Sequence, residues 1–308
     1  MFFSKNTLGV EISSTGVTFA LLGGNQASPR LERISSRPMD AGILRISLRD
    51  PNILEPQAFS EKVRETHALL LHSGTRVSVA LPDAVGRILM LDVEGRFKSR
   101  SEALDIIRWK LKKSMPFDVA DTHLDYQILR MRENGDMSLL VALVSHPVIE
   151  QYEDAFISAG LIPVGLDLNT FNLCRAFQRH LELLEDVILI TFYGNTLGII
   201  VLNESIPEFI RVKDLAGSSA LDSRVFMEIN SSLLVWQERF PERSVQKVAC
   251  IAPPEVATAF CDMVAEATNI EPTLLEIKSA VKPSDNSPAD QASLFPFSAA
   301  IGAAMRSL

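Results

Sequence analysis

The chain contains 308 residues, of which 47% are hydrophobic and 22% are charged, and its formal net charge is −8 at pH 7. This length allows two domains or one bilobed fold, and the hydrophobic content supplies a large core and excludes a disordered chain. The acidic balance argues against a protein that holds nucleic-acid phosphates, since that function depends on clustered lysine and arginine. A local basic face remains compatible with the acidic total.

The cysteines and the N-terminus indicate the compartment. Cys174, Cys250 and Cys261 are odd in number and lack the spacing of metal ligands, which fits a reducing compartment. Cys174 is expected to be buried filler rather than a nucleophile, and the five scattered histidines do not suggest a zinc site. Residues 1–5 are too short for a signal peptide, and no stretch approaches the ~18 apolar residues of a membrane span. We therefore expect a soluble cytoplasmic protein.

The first predicted element is a β-hairpin. Apolar runs at 8–12 and 17–22 flank a turn made of Ser13, Ser14, Thr15 and Gly16. The β-branched and apolar residues on both sides are typical of strands. Three hydroxyls and several backbone N–H groups beside a glycine are the components of an anion-binding nest. The same residue types build ordinary hairpin turns, so the turn alone leaves phosphate binding open.

Strand, helix and strand follow one another next, which is typical of α/β proteins. The pattern predicts a helix from 59 that ends at Ser73 and Gly74, and then a strand at 77–81. Residues 83–145 are predicted to form a smaller unit, whose helix begins with a capping box of Ser99 and Glu102. The expected buried stripe of this helix is Leu104, Ile107, Leu111 and Met115, and Pro116 ends the helix. A hairpin turn at 133–136 joins two strands of the same unit.

The remaining surface of that helix is predicted to be basic. Its cations are Arg100, Arg108, Lys110, Lys112 and Lys113, and Trp109 beside them is expected to be partly exposed. A basic helix face is more often a solvated surface than a docking site, and the pattern alone leaves both interpretations open. Lipid head groups and a partner ATPase are the two alternatives for docking.

The second half of the chain repeats the opening pattern of strand, polar turn and strand. Strands at 187–190 and 197–202 flank a turn at 191–196 that contains Gly194. The other predicted elements are a helix at 148–159, a helix at 218–240 with Trp236 on its buried stripe, a strand at 247–251, a helix at 254–267, a strand at 273–277 and a helix at 297–305. The polar segment 282–293 is predicted to be an exposed, mobile loop.

Four segments are more specific than this pattern. They are MFFSKNTLGVEISSTGV at the start, LKKSMPFDVADTHLDYQIL in the middle, SAGLIPVGLDLNTFNLCRAF at the join of the halves and AAIGAAMRSL at the end. With them, essentially the whole chain resembles the PilM family of type IV pilus assembly, actin-like ATPase relatives similar to FtsA. The resemblance implies an α/β, actin-like (ribonuclease H-like) bilobed fold with an inserted small 1C (SHS2-like) subdomain. The implied boundaries are 1–84 plus 149–186 for subdomain 1A, 85–148 for subdomain 1C, 187–308 for the second lobe (2A/2B), and 296–307 for a C-terminal helix.

The resemblance also implies an ATP site in vestigial form. The residues that match the family's nucleotide segments are Ser13, Ser14, Thr15, Gly16, Asp167 and Gly194. Asp167 matches the family's acid that would hold Mg²⁺ through water or orient the attacking water. Within the first phosphate loop, Glu11 stands where an aspartate is usual and Ser13 stands where a glycine is usual.

Three of the five nucleotide segments depart further from the family pattern. Thr191 and Tyr193 replace the aspartate and the glycine of the second phosphate loop. The segment 228–232 lacks the family's arginine, and Pro253 and Pro254 replace glycines of the adenosine loop and remove two N–H donors. A missing Mg²⁺ carboxylate weakens the charge neutralisation on which phosphoryl transfer depends. We therefore expect no catalytic residue, no metal site and no required cofactor, with ATP and Mg²⁺ binding as the alternative.

The function that the resemblance implies is a non-catalytic cytoplasmic scaffold, a pseudo-ATPase of type IV pilus or related secretion machinery. Its implied partner is the N-terminal tail of a PilN-like inner-membrane protein, bound as an extended peptide in a groove beside subdomain 1C. Partners would thus hold it at the inner-membrane cytoplasmic face, and other pilus ATPase or platform components are further candidates. Two alternatives stay open: an ATP-binding or ATP-hydrolysing actin-like assembly protein, and the cytoplasmic part of a type II secretion system.

Overall fold

The computed structural model describes residues 6–113, 115, 117–215 and 221–308, which form three β-sheets with helices packed on them. The strands are β1 (Thr7–Ser13), β2 (Gly16–Asn25), β3 (Ser28–Pro38), β4 (Arg76–Leu81), β5 (Gly86–Val93), β6 (Thr122–Met131), β7 (Met137–Ser145), β8 (Ile162–Leu168), β9 (Val187–Tyr193), β10 (Thr196–Asn203), β11 (Ile206–Asp214), β12 (Val248–Ile251), β13 (Thr273–Leu274) and β14 (Lys282–Pro283). The helices are α1 (Pro56–Ala68), α2 (Arg100–Leu111), α3 (His146–Ser158), α4 (Asn169–Ala176), α5 (Gln178–Leu184), α6 (Ser223–Arg239), α7 (Ala257–Thr268), α8 (Ile277–Ala280), α9 (Gln291–Leu294) and α10 (Ser298–Met305). Within these described ranges, no helix is both long enough and apolar enough to cross a lipid bilayer.

The first sheet contains the predicted opening hairpin. Its strand order is β14-β3-β2-β1-β4-β8, with β1 antiparallel to β2 and parallel to β4. Because side chains alternate across a strand, Leu8, Val10 and Ile12 of β1 all point into one core, which α1 and α3 cover. In that core, Phe59 of α1 meets Tyr152 of α3 edge to face, with 6.2 Å between the ring centroids. This packing fixes the strand that leads into the first polar turn.

The second sheet repeats the arrangement, as the sequence predicts. Its strand order is β11-β10-β9-β12-β13, and β9 is antiparallel to β10 and parallel to β12. Ile190 and Phe192 of β9 face a core that α6 and α7 cover, and Phe192 stacks on Phe260 of α7 with 5.8 Å between centroids. Val187 and Leu189, on the opposite face of β9, join a core that also includes residues of the first sheet.

Helix α10 lies in this shared core and joins the two sheets. An added Cβ on Gly9 of β1 would lie 1.9 Å from the carbonyl oxygen of Ala300, and one on Gly302 would lie 1.9 Å from the carbonyl oxygen of Asn172 in α4. Such distances are far below van der Waals contact, so these two positions require glycine. The close approach holds α10 against β1 on one side and against α4 on the other.

The third sheet, with α2, forms the smaller unit. Its order is β5-β7-β6, all antiparallel, and Ile107 and Leu111 of α2 pack on it. Ser99 caps α2 by accepting a hydrogen bond from the backbone N–H of Glu102 at 3.1 Å, as predicted. The Glu102 carboxylate accepts from the N–H of Lys98 at 2.5 Å, one residue before the partner that a capping box predicts. Helix α2 ends at Leu111, earlier than predicted, so Met115 lies beyond the helix; Pro116 lies outside the described residues, and the boundaries of subdomain 1C stay a prediction.

The segment 282–293, predicted to be an exposed, mobile loop, is exposed or half-buried along its length, but its two ends form a strand and a helix and it is hydrogen-bonded to the first sheet. Residues 282–283 form β14, which pairs in parallel with β3, and the N–H of Ser284 donates to the carbonyl oxygen of Leu31 at 2.9 Å. The hydroxyl of Ser287 also donates to the Leu31 carbonyl oxygen, at 3.1 Å, and residues 291–294 form α9. Serine and proline mark the segment as polar, but β3 has backbone groups on the side away from β2, and these accept the hydrogen bonds of the segment.

Further predicted elements have different limits in the structure. Helix α1 ends at Ala68 instead of at Ser73 and Gly74. Helix α6 begins at Ser223, where the Asp222 carboxylate accepts from the N–H groups of the first turn, while 218–220 of the predicted helix lie outside the described residues. The strand predicted at 273–277 ends at Leu274, since α8 begins at Ile277. The predicted exposure of the two tryptophans is confirmed, with Trp109 75% exposed and Trp236 4% exposed.

Candidate functional site

The first hairpin turn bonds to itself. The hydroxyl oxygen of Ser13 accepts hydrogen bonds from the N–H groups of Thr15 at 3.3 Å and Gly16 at 3.1 Å, and it lies 3.0 Å from the Thr15 hydroxyl. An added Cβ on Gly16 would lie 2.7 Å from the carbonyl oxygen of Arg37, so the neighbouring strand β3 explains this glycine without a ligand. The four residues predicted here, 13–16, lie together at the tip, with Ser14 and Thr15 exposed.

The second hairpin turn consists of Gly194 and Asn195. Gly194 has φ +60, a left-handed conformation that favours glycine, and among the described residues no atom beyond its chain neighbours lies within 4 Å of a Cβ built there. The turn thus explains this glycine by backbone geometry. Tyr193, the last residue of β9, directly precedes it and points away from the tip toward the first sheet.

Tyr193 bridges the two hairpins. Its hydroxyl donates to one carboxylate oxygen of Glu11 at 2.7 Å, and the side-chain amide of Asn169 donates to the other at 3.2 Å. The ring of Tyr193 packs on Phe295, with 5.5 Å between centroids, and on the small residues of α10. The acid that the family pattern would place beside phosphate is therefore 5% exposed and already hydrogen-bonded on both oxygens.

The buried acids at this point have raised pKa values. Burial raises the pKa of Glu11 from 4.5 to about 7, although the hydrogen bonds from Tyr193 and Asn169 lower it, and nearby Asp83 raises it further. Burial likewise raises the pKa of Asp83 from 3.8 to about 6, with the N–H of Thr170 donating to its carboxylate at 3.0 Å. The pKa of Tyr193 lies well above its usual 10 because of burial and the adjacent Glu11 carboxylate. Near pH 7, this cluster therefore holds protons that solvent-exposed acids would lose.

Asp167 lies apart from both turns. Its strand register places it beside Ala80, and Ala80 beside Glu11, so Asp167 is two strands away from Glu11, roughly 10 Å across the sheet. Its carboxylate forms ion pairs with Arg306 at 2.6 Å and Arg175 at 3.1 Å. The structure thus brings the 13–16 turn and the second hairpin together through Tyr193, and it pairs Asp167 with arginines instead.

The other two degenerate segments also form hydrogen bonds within themselves. In α6, the hydroxyl of Ser232 donates to the carbonyl oxygen of Glu228 at 2.6 Å. The side-chain amide of Asn230 donates to the carbonyl oxygen of Phe226 at 3.1 Å. After β12, the N–H of Val256 donates to the carbonyl oxygen of Pro253 at 3.0 Å and forms a turn into α7. These donors are therefore engaged inside their own segments.

Asp83, Asn169 and Thr170 belong to the buried cluster but escape sequence reasoning. Asp83 follows the carboxyl end of β4, and Asn169 and Thr170 follow that of β8, its neighbour in the sheet. Polar residues at the carboxyl ends of adjacent parallel strands meet at one edge of a sheet, and this signal could have identified them.

Cys174 in α4 packs against the core that the two sheets share, and burial raises the pKa of its thiol to about 12. This fits a packing role rather than a nucleophile.

A groove of about 960 Å³ lies between the smaller unit and the two lobes. Its walls include β6 and β8, the outermost strands of their sheets, together with β10 and β11 of the second lobe. Half-buried Pro163, Val164 and Leu166 supply apolar surface, while Asp167 and Arg306 supply charge. This volume is at the upper end of the ~300–1,000 Å³ found for ligand sites.

Comparison with known proteins identifies the fold. The structure of a PilM–PilN type IV pilus biogenesis complex is similar to this chain with a TM-score of 0.81 at 20% identity, covering 97% of this chain and 98% of that one. A Bacteroides thetaiotaomicron protein with an actin-like ATPase fold follows with a TM-score of 0.55 at 11% identity, covering 91% and 93% of the two chains. The cytoplasmic domain of EpsL, an inner-membrane component of the Vibrio cholerae type II secretion system, has a TM-score of 0.50 at 12% identity and covers 96% and 94%. The predicted actin-like fold is thereby confirmed.

The family assignment depends on sequence. No curated protein matches the chain significantly. The family model described as type IV pilus assembly protein PilM matches residues 9–192, a range that includes the smaller unit, the join and most of both the first hairpin and β9. Since this match spans more than half of the 308 residues, the chain belongs to the PilM family of type IV pilus assembly proteins.

Proposed function

We propose that this protein is a non-catalytic scaffold of type IV pilus assembly, which captures the N-terminal tail of a PilN-like inner-membrane protein in the groove between β6 and β8. The observation that carries the proposal is the groove itself, bounded by the outer strands of two different sheets. Its partner would hold the scaffold at the cytoplasmic face of the inner membrane. The similar PilM–PilN complex supports this partner class.

The groove suits an extended peptide better than a compact ligand. Outer strands carry backbone N–H and C=O groups that are free to pair with an added strand, and side-chain pockets then provide specificity. Pro163, Val164 and Leu166 of β8 form an apolar wall, and Gln127 of β6 lines the opposite side. The pair of Asp167 and Arg306 adds a mixed-charge position along the same groove. Apolar peptide side chains would thus bind along β8 while the peptide backbone pairs with a strand edge.

The contacts at the two hairpin turns argue against ATP and Mg²⁺. Tyr193 occupies the approach to Glu11 and donates to its carboxylate, so this oxygen is engaged by protein. The hydroxyl of Ser13 accepts from the two turn amides that a phosphate would otherwise bind. Pro253 and Pro254 lack N–H groups where the family's adenosine loop has glycines. We therefore assign no catalytic step to this site, and ATP-driven assembly is the alternative that experiment separates.

The test is calorimetric titration of the full chain with two ligands. One titration uses ATP with Mg²⁺, and the other uses a synthetic peptide of the N-terminal tail of the PilN-like protein from the same genome. A peptide isotherm without nucleotide heat is the expected result. Saturable ATP binding would contradict the pseudo-ATPase assignment, and absent peptide binding would contradict the scaffold assignment.

Variants of β8 locate the peptide. Val164→Arg places a cation on the groove wall and should weaken peptide binding at least about tenfold, because the apolar contact is replaced by a charge that must lose water. Ile162→Arg is the matched control, since Ile162 is 52% exposed on the same strand and lies outside the groove lining. Equal losses in both variants would mean that the peptide binds elsewhere or that β8 is distorted.

A further inference from the structure

Helix α2 and the residues on both sides of it carry a basic surface, of which Arg100 lines the groove and the other cations do not. This surface, called here the α2 basic surface, consists of Arg96, Lys98, Arg100, Arg108, Lys110, Lys112 and Lys113 together with Trp109. Residues 96–113 contain these seven cations and two acids, Glu102 and Asp105, a local charge of +5 in a chain of net charge −8. The positive charge is therefore concentrated against the overall acidic balance.

Three lysines of the α2 basic surface lack a carboxylate partner in the described part of the chain. Arg100 pairs with Asp125 at 2.8 Å, whereas no salt bridge within the described ranges involves Lys110, Lys112 or Lys113. Lys112 and Lys113 are exposed, and Lys110 is half-buried along its side chain. Cations that repel one another are poorly explained by the stability of the fold, and these three are available to an external anionic surface.

Trp109 stands among these lysines and is 75% exposed. The buried face of α2 is formed by Ala103, Ile107 and Leu111, so Trp109 does not contribute to the core of its own unit. Helix α2 ends at Leu111; Lys112, the next residue, keeps a helical backbone and lies one turn after Trp109, and Lys113 follows it directly. An exposed tryptophan flanked by lysines is the combination that membrane interfaces favour, because its ring sits at head-group level while the cations meet lipid phosphates.

We propose that the α2 basic surface binds anionic lipid head groups, so that the protein contacts the membrane surface directly. Lipid fits better than a protein partner because the buried centres of protein interfaces are depleted in lysine, and Trp109 is the large apolar side chain that this surface exposes. Asp105 and Glu102, one and two turns before Trp109, are the acids on that face, and the lysines outnumber them. The assignment stands on charge and exposure alone and does not depend on what the groove binds.

The test is co-sedimentation of the full chain with phosphatidylcholine vesicles that contain either no phosphatidylglycerol or about 30% of it. The expected result is binding to the anionic vesicles only, which weakens as the NaCl concentration is raised from about 0.1 to about 0.5 M. The triple variant Lys110→Glu, Lys112→Glu and Lys113→Glu should bind at least about 100-fold more weakly, at roughly fivefold for each lysine near the surface. The control triple Lys247→Glu, Lys278→Glu and Lys282→Glu changes the same charge on exposed residues elsewhere and should bind as the wild type does.

Tryptophan fluorescence gives an independent readout. The chain has two tryptophans, and because Trp236 is buried, a blue shift on adding anionic vesicles would report Trp109. Trp109→Phe should remove the shift while the protein still sediments with the vesicles. An unshifted emission together with no anionic binding would overturn the lipid assignment and leave an acidic protein as the partner. An equal loss of vesicle binding in the control triple variant would also overturn the lipid assignment, because the loss would then follow from the total charge of the protein.

Discussion

The hydrogen bond between Tyr193 and Glu11 should have a pH-dependent contribution to stability. Tyr193→Phe removes the hydroxyl that lies 2.7 Å from the Glu11 carboxylate and keeps the ring that packs on Phe295. When Glu11 is ionised, the lost bond is charge-assisted and should cost about 2–3 kcal/mol, because a buried charge loses a donor. When Glu11 is protonated, the lost bond is between neutral groups and should cost about 1 kcal/mol.

The pKa of Glu11 sets the pH window. Burial raises it from 4.5 to about 7, so between these values the folded protein holds a proton that the unfolded chain has released. The free energy of unfolding therefore falls through this group as pH rises from about 4.5 to 7, by on the order of 3 kcal/mol. In Tyr193→Phe the hydroxyl no longer lowers the pKa of Glu11, so the fall should continue to higher pH. The difference between wild type and variant should widen from about pH 5.5 to about pH 8.5.

Urea unfolding followed by circular dichroism at about pH 5.5 and about pH 8.5 measures this difference. Glu11→Gln is the control background, since glutamine keeps the shape and does not titrate. Tyr193→Phe in that background should lose the same stability at both pH values. The assignment of the effect to this bond is refuted if the loss in the otherwise native chain is equal at both pH values. A pH dependence that persists in the Glu11→Gln background would refute it as well.

Three further changes test the packing around the site. Gly302→Ala should destabilise the protein by more than about 3 kcal/mol or leave it insoluble, because the added Cβ would meet the carbonyl oxygen of Asn172 at 1.9 Å. Thermal unfolding and soluble yield measure this effect. A near-native unfolding midpoint would contradict it. Asp222→Ala should cost about 1 kcal/mol in thermal unfolding, because two N–H groups of the first turn of α6 lose their acceptor, whereas Asp222→Asn should cost less. Asp167→Asn should lower the free energy of unfolding by about 1–3 kcal/mol in urea, since Arg306 loses a charged partner whose side chain is only 21% exposed. This loss of stability should be smaller at high salt.

Local sequence patterns predicted most of the secondary structure. Both hairpins, helix α2 with its Ser99 cap, and the burial of Trp236 follow from alternation, capping chemistry and helical spacing, all of which act within a few residues. The pairing of segment 282–293 with β3 was missed because Ser284 and Ser287 bond to Leu31, which lies in a strand near the other end of the chain. Such a contact leaves no periodic signal in either segment.

In the candidate site, too, local features could be predicted from the sequence and contacts between distant segments could not. The turns at 13–16 and around Gly194 could be located from the chain, and the family resemblance identified Tyr193 as the residue that departs from the nucleotide pattern. Residue spacing could not predict that the Tyr193 hydroxyl reaches Glu11. It could not predict either that Asp167 pairs with Arg306 at the other end of the chain. These contacts depend on how the two sheets meet around α10.

Residue type and local periodicity were thus sufficient for the main elements and the repeated hairpins, and the resemblance of four segments to a known family supplied the family and the departures from its nucleotide pattern. The packed molecule was needed to learn that Tyr193 closes the space between the hairpins and that β6 and β8 border one groove. It was also needed to learn that Lys110, Lys112 and Lys113 form no salt bridge with the described residues. A side chain's partner across a fold depends on the relative positions of packed elements, and Gly9 and Gly302 set those positions through contacts between residues far apart in sequence.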